Sequence, residues 1–273
     1  MASIDQERLN KRVAVSASHY DFKELAEIYN QTRIDYIVPM PMNARRMQDY
    51  VHNYDIRLDL SIVALNDVGA EAGIGMLGIR GERGWITRLG VIPNNRGLRL
   101  GQFLMEEMIE KAQDVGATQI QLEVIVGNDP ARGLFEKLGF KATRKLLIIR
   151  RPPGKISPDA SCDNVDVRGM ATGEIPYYLE MREQGASWVE ETSSLLNAGK
   201  LKGLIVDMPN GETGWAVFQS SPFQLSHFVL SESSENTIRA LLYHIHKQHA
   251  MQDTKIENVP ETHPTWAIFQ QMG

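Results

Sequence analysis

Apolar positions along the chain alternate between a spacing of two and a spacing of three to four. Residues 12–18 (RVAVSAS) alternate as a short strand does, and 21–33 (DFKELAEIYNQTR) repeat at helical spacing behind Asp21, a capping residue type. Residues 43–54 give a weaker helix pattern. LSIVALN (60–66), the turn DVGAEAG and GIGMLGIRG (73–81) predict a hairpin, and GWITRLGVI (84–92) a further strand. A long helix follows over about 98–115, with Leu100, Leu104, Met108 and Ala112 on one face; its methionines read as core packing. QIQLEVIVG (119–127) predicts a buried strand, 129–138 a short helix, and 140–150 a strand that closes the domain.

RRPPGKISPDA (150–160) breaks the pattern with three prolines and a glycine, which marks a linker. Lys141, Arg144, Lys145, Arg150, Arg151 and Lys155 make this region basic, as a solvated edge would be; help in binding a phosphorylated ligand is the alternative. The order then repeats: a strand at 165–171, helices near 174–184 and 188–198, strands at 201–208, 214–220 and 224–230, a helix at 235–249, a strand near 254–259 and a last helix at 264–272. Leu122-Glu123-Val124 aligns with Ile256-Glu257-Asn258, Pro130 with Pro264, and Phe135 to Gly139 with Phe269 to Gly273, each pair 134 positions apart. A repeat of that size implies a duplicated fold. The expected domains are therefore 1–151 and 165–273, joined by a linker at 152–164, with no counterpart after Gly273 to the first half's closing strand.

Composition narrows the class. With 42% hydrophobic residues, 23% charged residues and a net charge of −5, the 273-residue chain has the makeup of a soluble globular protein and no bulk basicity for nucleic acid. A single cysteine, Cys162, rules out an intrachain disulfide. The N-terminal MASIDQERLN lacks the apolar core of a signal peptide, and no apolar run approaches the ~18 residues of a membrane span. A cytoplasmic location without membrane or nucleic-acid partners is expected; oligomeric state is left open. His244, His246 and His249 do not form a ligand pattern, because only the last two share a helix face, so no metal is expected.

The chemistry concentrates at one loop. Between the strand ending at Val91-Ile92-Pro93 and the long helix lies Arg96-Gly97-Leu98-Arg99-Leu100-Gly101. A helix start offers unpartnered N–H groups and partial positive charge, glycine lets backbone approach a ligand closely, and arginine binds phosphate oxygens. The loop reads as a pyrophosphate cradle; plain loop chemistry is the alternative.

The segment from Trp85 to Phe140 resembles the GCN5-related N-acetyltransferase (GNAT) superfamily. The family's V-x-P strand end and Arg/Gln-x-x-Gly-x-Gly/Ala loop correspond to Val91-Ile92-Pro93 and Arg96 through Gly101. Its later markers correspond to Leu122-Glu123-Val124, Asn128, Ala131 and Leu134-Phe135-Glu136-Lys137-Leu138-Gly139-Phe140. The resemblance implies an α/β (α+β) fold with a mixed, mostly antiparallel central sheet flanked by helices, here two such domains in tandem. It implies transfer of an acetyl group from acetyl-CoA, with no metal, to a primary amine of a small molecule or protein. The alternative is a non-catalytic acyl-CoA sensor or scaffold.

By the same resemblance, backbone groups at Leu89, Gly90 and Val91 would meet the pantetheine arm, Arg96 through Gly101 the phosphates, and Asn128 and Phe135 the region near the thiol. Arg99 replaces the family's middle glycine, and a helical side chain pointing away from the phosphates, or one added phosphate contact, is expected there. Phe135 replaces a tyrosine that would protonate the leaving thiolate, and phenylalanine has no proton to give. Glu123, in mid-strand among Ile120, Leu122, Val124 and Val126, is the candidate base, with an ion pair to Arg88 as the structural alternative; Asn128 either caps the short helix or, by the resemblance, also contacts the cofactor or a site water. The acceptor pocket is expected around Tyr36 to Tyr50. The second half has Val229-Leu230-Ser231-Glu232-Ser233-Ser234-Glu235 where the cradle would lie, the wrong sign for phosphate, and reads as a degenerate copy.

Overall fold

The computed structural model describes residues 13–182 and 185–272, so the N-terminal MASIDQERLN lies outside the described residues. The chain forms two compact units, divided between Ala142 and Thr143.

The first unit runs β1 (Val13–Ser16), α1 (Phe22–Gln31), α2 (Ala44–Asn53), β2 (Ile62–Leu65), β3 (Glu71–Arg80), β4 (Arg83–Val91), α3 (Leu100–Asp114), β5 (Gln119–Gln121) and α4 (Asp129–Lys137). The strands form one sheet in sequence order, antiparallel except for the β4/β5 pair. Asp21 caps α1 reciprocally: its carboxylate accepts from the Lys23 and Glu24 amides, and the Glu24 carboxylate accepts from the Asp21 amide, each at 2.8 Å. The core lies where Leu100, Leu104, Met105, Met108 and Ala112 of α3 meet Ile62, Ala64, Ala72, Leu77 and Ile86 of the sheet.

The strand expected over 119–127 stops at Gln121, and the residues after it are not buried; Val126 is 87% exposed. The cause lies further along the chain. The strand expected to close the first unit is β6 (Leu146–Arg151), and it pairs antiparallel with β11 (Asp253–Pro260) in the second unit instead. Among the described residues β5 is thereby left as the edge of the first unit's sheet. Part of the basic run serves the same strand: Arg150 pairs with Asp253 at 2.8 Å, and Arg151 donates to the carbonyls of Met272, Pro152 and Gly154.

Between β6 and β11 the second unit contains α5 (Ala160–Asp163), β7 (Asp166–Met170), α6 (Ile175–Glu180), α7 (Thr192–Ala198), β8 (Leu201–Asp207), β9 (Thr213–Ser220), β10 (Gln224–Leu230) and α8 (Glu235–Gln248); α9 (Trp266–Gln271) follows β11. The helix expected over 174–184 is the shorter α6, and residues 183–184 lie outside the described residues. β7 through β11 are ordered as β1 through β5 are, again with a parallel pairing only between the last two, β10 and β11. Among the described residues no helix is long and apolar enough to cross a membrane.

Candidate active site

The site begins where β4 leaves its neighbour. β4 and β5 pair only from Arg83–Gln119 to Trp85–Gln121, so residues 86–91 hold a ladder to β3 alone. On the β3 side, Ile74 faces Gly90 and Met76 faces Thr87, which sets Arg88 and Leu89 opposite the single residue Gly75. This is a β-bulge, and Arg88 adopts the left-handed conformation within it (φ 52°). Gly90 is required just beyond: a Cβ there would stand 2.3 Å from Oγ1 of buried Thr32. The end of α1 therefore lies directly against β4.

The loop after β4 turns through Pro93–Asn95, then passes left-handed backbone at Gly97 (φ 79°) and Arg99 (φ 56°) before α3 starts at Leu100. The expectation that Arg99 would be helical is corrected: the position needs a positive φ, which explains why glycine suits it and why arginine is strained there. α3 has no side-chain cap, so its first amides, at Leu100, Gly101 and Gln102, face outward without intrahelical acceptors. Arg99 and Leu98 are exposed at this mouth. Arg96 plays a different part. Its Nη1 and Nη2 hold the two oxygens of Asp35 at 2.5 and 2.7 Å, while Nε donates to the Val91 carbonyl and Nη2 to that of Thr32. The side chain is a strut tying the loop to the end of α1, and Asp35 is held below the usual carboxylate range by its hydrogen bond to Arg96.

On the other side of β4, Glu123 accepts from the Trp85 indole N–H at 2.6 Å. It is exposed rather than buried in mid-strand, because β5 has already ended. The alternative of an Arg88–Glu123 pair is not realised. Arg88 donates to the Tyr29 hydroxyl at 3.0 Å, with its guanidinium 4.1 Å from the Tyr50 ring. Tyr50 meets the Thr87 hydroxyl at 2.6 Å; burial pushes its phenol up to about 12, with Glu123 adding to the rise and Arg88 and the Thr87 contact opposing it. Tyr50 is therefore a neutral phenol at physiological pH. Arg33 stacks 4.0 Å from the Tyr36 ring and donates to the Leu89 carbonyl at 2.9 Å. Asn128 accepts from the Ala131 amide as the cap of α4 and donates to the Tyr36 hydroxyl, both at 3.4 Å.

The structure thus brings Leu89, Gly90 and Val91 to the unpaired stretch of β4, Gly97 through Gly101 to the mouth of α3, and Glu123 and Asn128 to the ends of the split. Phe135 is set apart. It is 8% exposed, lies in the core and meets Phe140 edge-on. Sequence reasoning missed Arg33, Tyr29 and Trp85, and took Arg88 only as a structural partner. The available signal was the position of Tyr29 and Arg33 at the end of the amphipathic α1.

The second unit fills the corresponding places differently. At the start of α8, Oε1 of Glu212 accepts from the Ser234 amide at 2.7 Å, and Oε2 from the hydroxyls of Ser234 at 2.6 Å and Thr237 at 2.7 Å. A carboxylate of the chain already occupies this helix N-terminus, and those donors hold Glu212 below its ordinary value, the Ser234 amide most of all. The bulge in β10 carries His227 (φ 55°), whose Nδ1 lies 2.9 Å from the Glu190 carboxylate. The other histidines have hydrogen-bonding roles: His244 with the Cys162 carbonyl, His246 with the Leu242 carbonyl and the Thr254 hydroxyl, and His249 with Gln252. Among the described residues no group of three or more His, Cys, Asp or Glu side chains is placed to hold a metal ion.

Residues 23–140, most of the first unit, match the model of the acetyltransferase (GNAT) family. Over 56 residues the chain is 38% identical to a Bacillus subtilis protein assigned as a [ribosomal protein bS18]-alanine N-acetyltransferase; the match spans 20% of this chain and 37% of that relative. A GCN5-related N-acetyltransferase from Sphaerobacter thermophilus superposes with a TM-score of 0.71 at 14% identity, over 97% of this chain and 92% of that one. The glucosamine N-acetyltransferase region of a fungal multidomain β-N-acetylglucosaminidase gives 0.68 at 12% identity, over 96% of this chain and 36% of that one. At such identities these two show the fold alone.

Proposed function

We propose that the first unit transfers an acetyl group from acetyl-CoA to an amine. The observation that carries this reading is the uncapped start of α3, set at the mouth of the split sheet behind left-handed Gly97 and Arg99. The amides of Leu100, Gly101 and Gln102 would hold the pyrophosphate, with the Arg99 guanidinium beside them. The unpaired stretch of β4 would receive the pantetheine arm. The Arg33 and Arg96 side chains accompany it by donating to the carbonyls of Leu89 and Val91.

In the transfer, the amine nitrogen bonds to the thioester carbonyl carbon and the carbon–sulfur bond breaks. Glu123, held by Trp85, accepts the amine's proton directly or through water. The thiolate takes its proton from solvent, since Phe135 has none to give. The second unit, with Glu212 already at its helix start, binds no CoA in this reading.

The absence of a proton donor at Phe135 supports one second reading, a module that binds acyl-CoA without turnover. A thiol-release assay over a panel of amines, paired with calorimetry, decides between them. Release that depends on an amine, with one CoA bound per chain, supports the transferase; one CoA bound with no release on any amine supports the sensor.

A further inference from the structure

Arg33 and Arg88 carry more hydrogen-bonding capacity than the chain uses. A guanidinium has five N–H donors. Arg33 uses one on the Leu89 carbonyl, and Arg88 uses one on the Tyr29 hydroxyl. The Nε of each is shielded from solvent and has no hydrogen-bond partner, although both residues are only half-buried. Ion pairs of the first unit form elsewhere, Arg96 with Asp35 and Arg80 with Asp55, and among the described residues neither Arg33 nor Arg88 has one.

The two guanidiniums share one aromatic setting. Each lies 5.3 Å from the Tyr29 ring, with Tyr36 4.0 Å from Arg33 and Tyr50 4.1 Å from Arg88. Ring faces attract cations but do not neutralise them, and a desolvated cation without a counter-ion is costly. No carboxylate among the described residues forms an ion pair with either guanidinium, so the cluster is set up to receive an anion from outside the chain. The planar fork of arginine fits a carboxylate.

We infer that the acceptor is a small amine that also carries a carboxylate, which Arg33 and Arg88 hold among the rings of Tyr29, Tyr36 and Tyr50. The inference rests on the transferase reading above. Arg33 joins the two ends of the site, because the same guanidinium that would face the carboxylate also touches the Leu89 carbonyl on β4.

The test compares matched amines on the full-length protein: β-alanine, 4-aminobutyrate and alanine, each against its amide, with aminoethyl phosphate and an alanyl peptide amide alongside. Thiol release is followed in the wild type, Arg33→Gln and Arg88→Gln, and calorimetry measures binding of the same amines in the presence of CoA. The amino-carboxylates should be favoured over their amides by about 10–100-fold in KM, the scale of a charge-assisted contact. Either substitution should remove that preference, and Arg88→Gln, at a residue that makes no contact with the β4 carbonyls, should do so with the KM for acetyl-CoA in place.

Equal use of acids and amides, preference for the phosphate or the peptide, or a preference that survives both substitutions would overturn the inference and leave the transferase standing. If no amine is turned over, the transferase reading fails. Binding heat for the amino-carboxylates that both substitutions abolish would then still support the carboxylate site, and its absence would overturn that too. The comparison of acids with amides in the wild type does not depend on either variant folding.

Discussion

The two units build the same junction and complete it with opposite charge. In the first, the helix after the fourth strand starts uncapped behind Gly97 and Arg99, so its amides are available to an anion. In the second, Glu212 reaches the equivalent helix start and takes the Ser234 amide and two hydroxyls. The bulge before each helix differs in the same sense. Arg88 sits among tyrosines with no carboxylate paired to it, whereas His227 is paired with Glu190. The second junction supplies a carboxylate from its own chain both to its helix start and to its bulge residue. On the proposed reading, the second unit keeps the sheet and gives up the ligand by satisfying its own donors.

The largest expected effect tests whether the chemistry belongs to the first junction alone. Glu123→Gln should lower the transfer rate by about 10²–10⁴-fold, some 3–5 kcal/mol in barrier, with acetyl-CoA affinity unchanged. The acidic limb of the pH–rate profile should move or vanish with it. Glutamine can still accept from the Trp85 indole, so the melting temperature should barely change. Glu257, 134 positions on, should be dispensable: Glu257→Gln should leave turnover intact. Full activity in Glu123→Gln would leave the first junction without an assigned base.

Next in size is the internal pair of the second junction. Burial alone would lower the His227 pKa, but the Glu190 carboxylate, with Glu257 more distant, raises it overall. The histidine's folded value thus lies above its unfolded one, near 6.5. Its stabilisation is fully present below that unfolded value and is lost as pH rises through the folded value. Glu190→Gln should cost about 3 kcal/mol below pH 6, since it leaves a desolvated group without its partner, and the deficit should shrink on the alkaline side. Chemical denaturation of both proteins across pH 5–9 measures this. A deficit independent of pH would mean that the pair is not an ion pair.

A smaller effect separates the two arginines of the loop. Arg99→Gly keeps the left-handed backbone and removes the cation, so CoA affinity should fall by about 10-fold with no loss of thermal stability. Arg96→Ala instead releases Asp35, Val91 and Thr32, and should lower the melting temperature together with affinity. Calorimetry and melting curves on the same samples distinguish a ligand from a strut. Identical behaviour of the two variants would show that the loop works as one electrostatic patch.

The sequence made α3, its loop and the repeated element order legible, because helical spacing, glycine at a turn and a fixed offset are local or periodic signals. It misplaced β5 and β6 for a nonlocal reason. The apolar run around Val124 and Val126 reads as a buried strand only if 146–151 pairs beside it, and that strand joins Asp253–Pro260 instead. Glu123 was found for a reason that did not hold, since it is exposed and not buried in mid-strand. The Arg33–Tyr36 and Arg88–Tyr50 contacts carry no periodic signature. They depend on where α1 and α2 cross β4, which Gly90 permits by admitting Thr32, and on a bulge that no residue pattern announces.

The smallest expected effect concerns a pair of phenylalanines, Phe135 and Phe269, at matching places in the two units. Phe135 is buried against Phe140, whereas Phe269 is half-buried and stacks on His263. A hydroxyl added at Phe269 can reach water, so Phe269→Tyr should be close to neutral. A hydroxyl added at Phe135 either meets the thiol end of the site or is enclosed in the core. If enclosed, it should cost about 1–2 kcal/mol, or roughly 3–8 °C in the melting temperature, and leave turnover unchanged. If it reaches the departing thiolate, its proton is available there, and turnover should rise with little change in stability. The structure favours the first outcome, because the ring lies in the core with Leu134, Leu138 and Phe140 around it. A rate increase in Phe135→Tyr would move this side chain from the core to the site, and would make its missing hydroxyl the step that limits the enzyme.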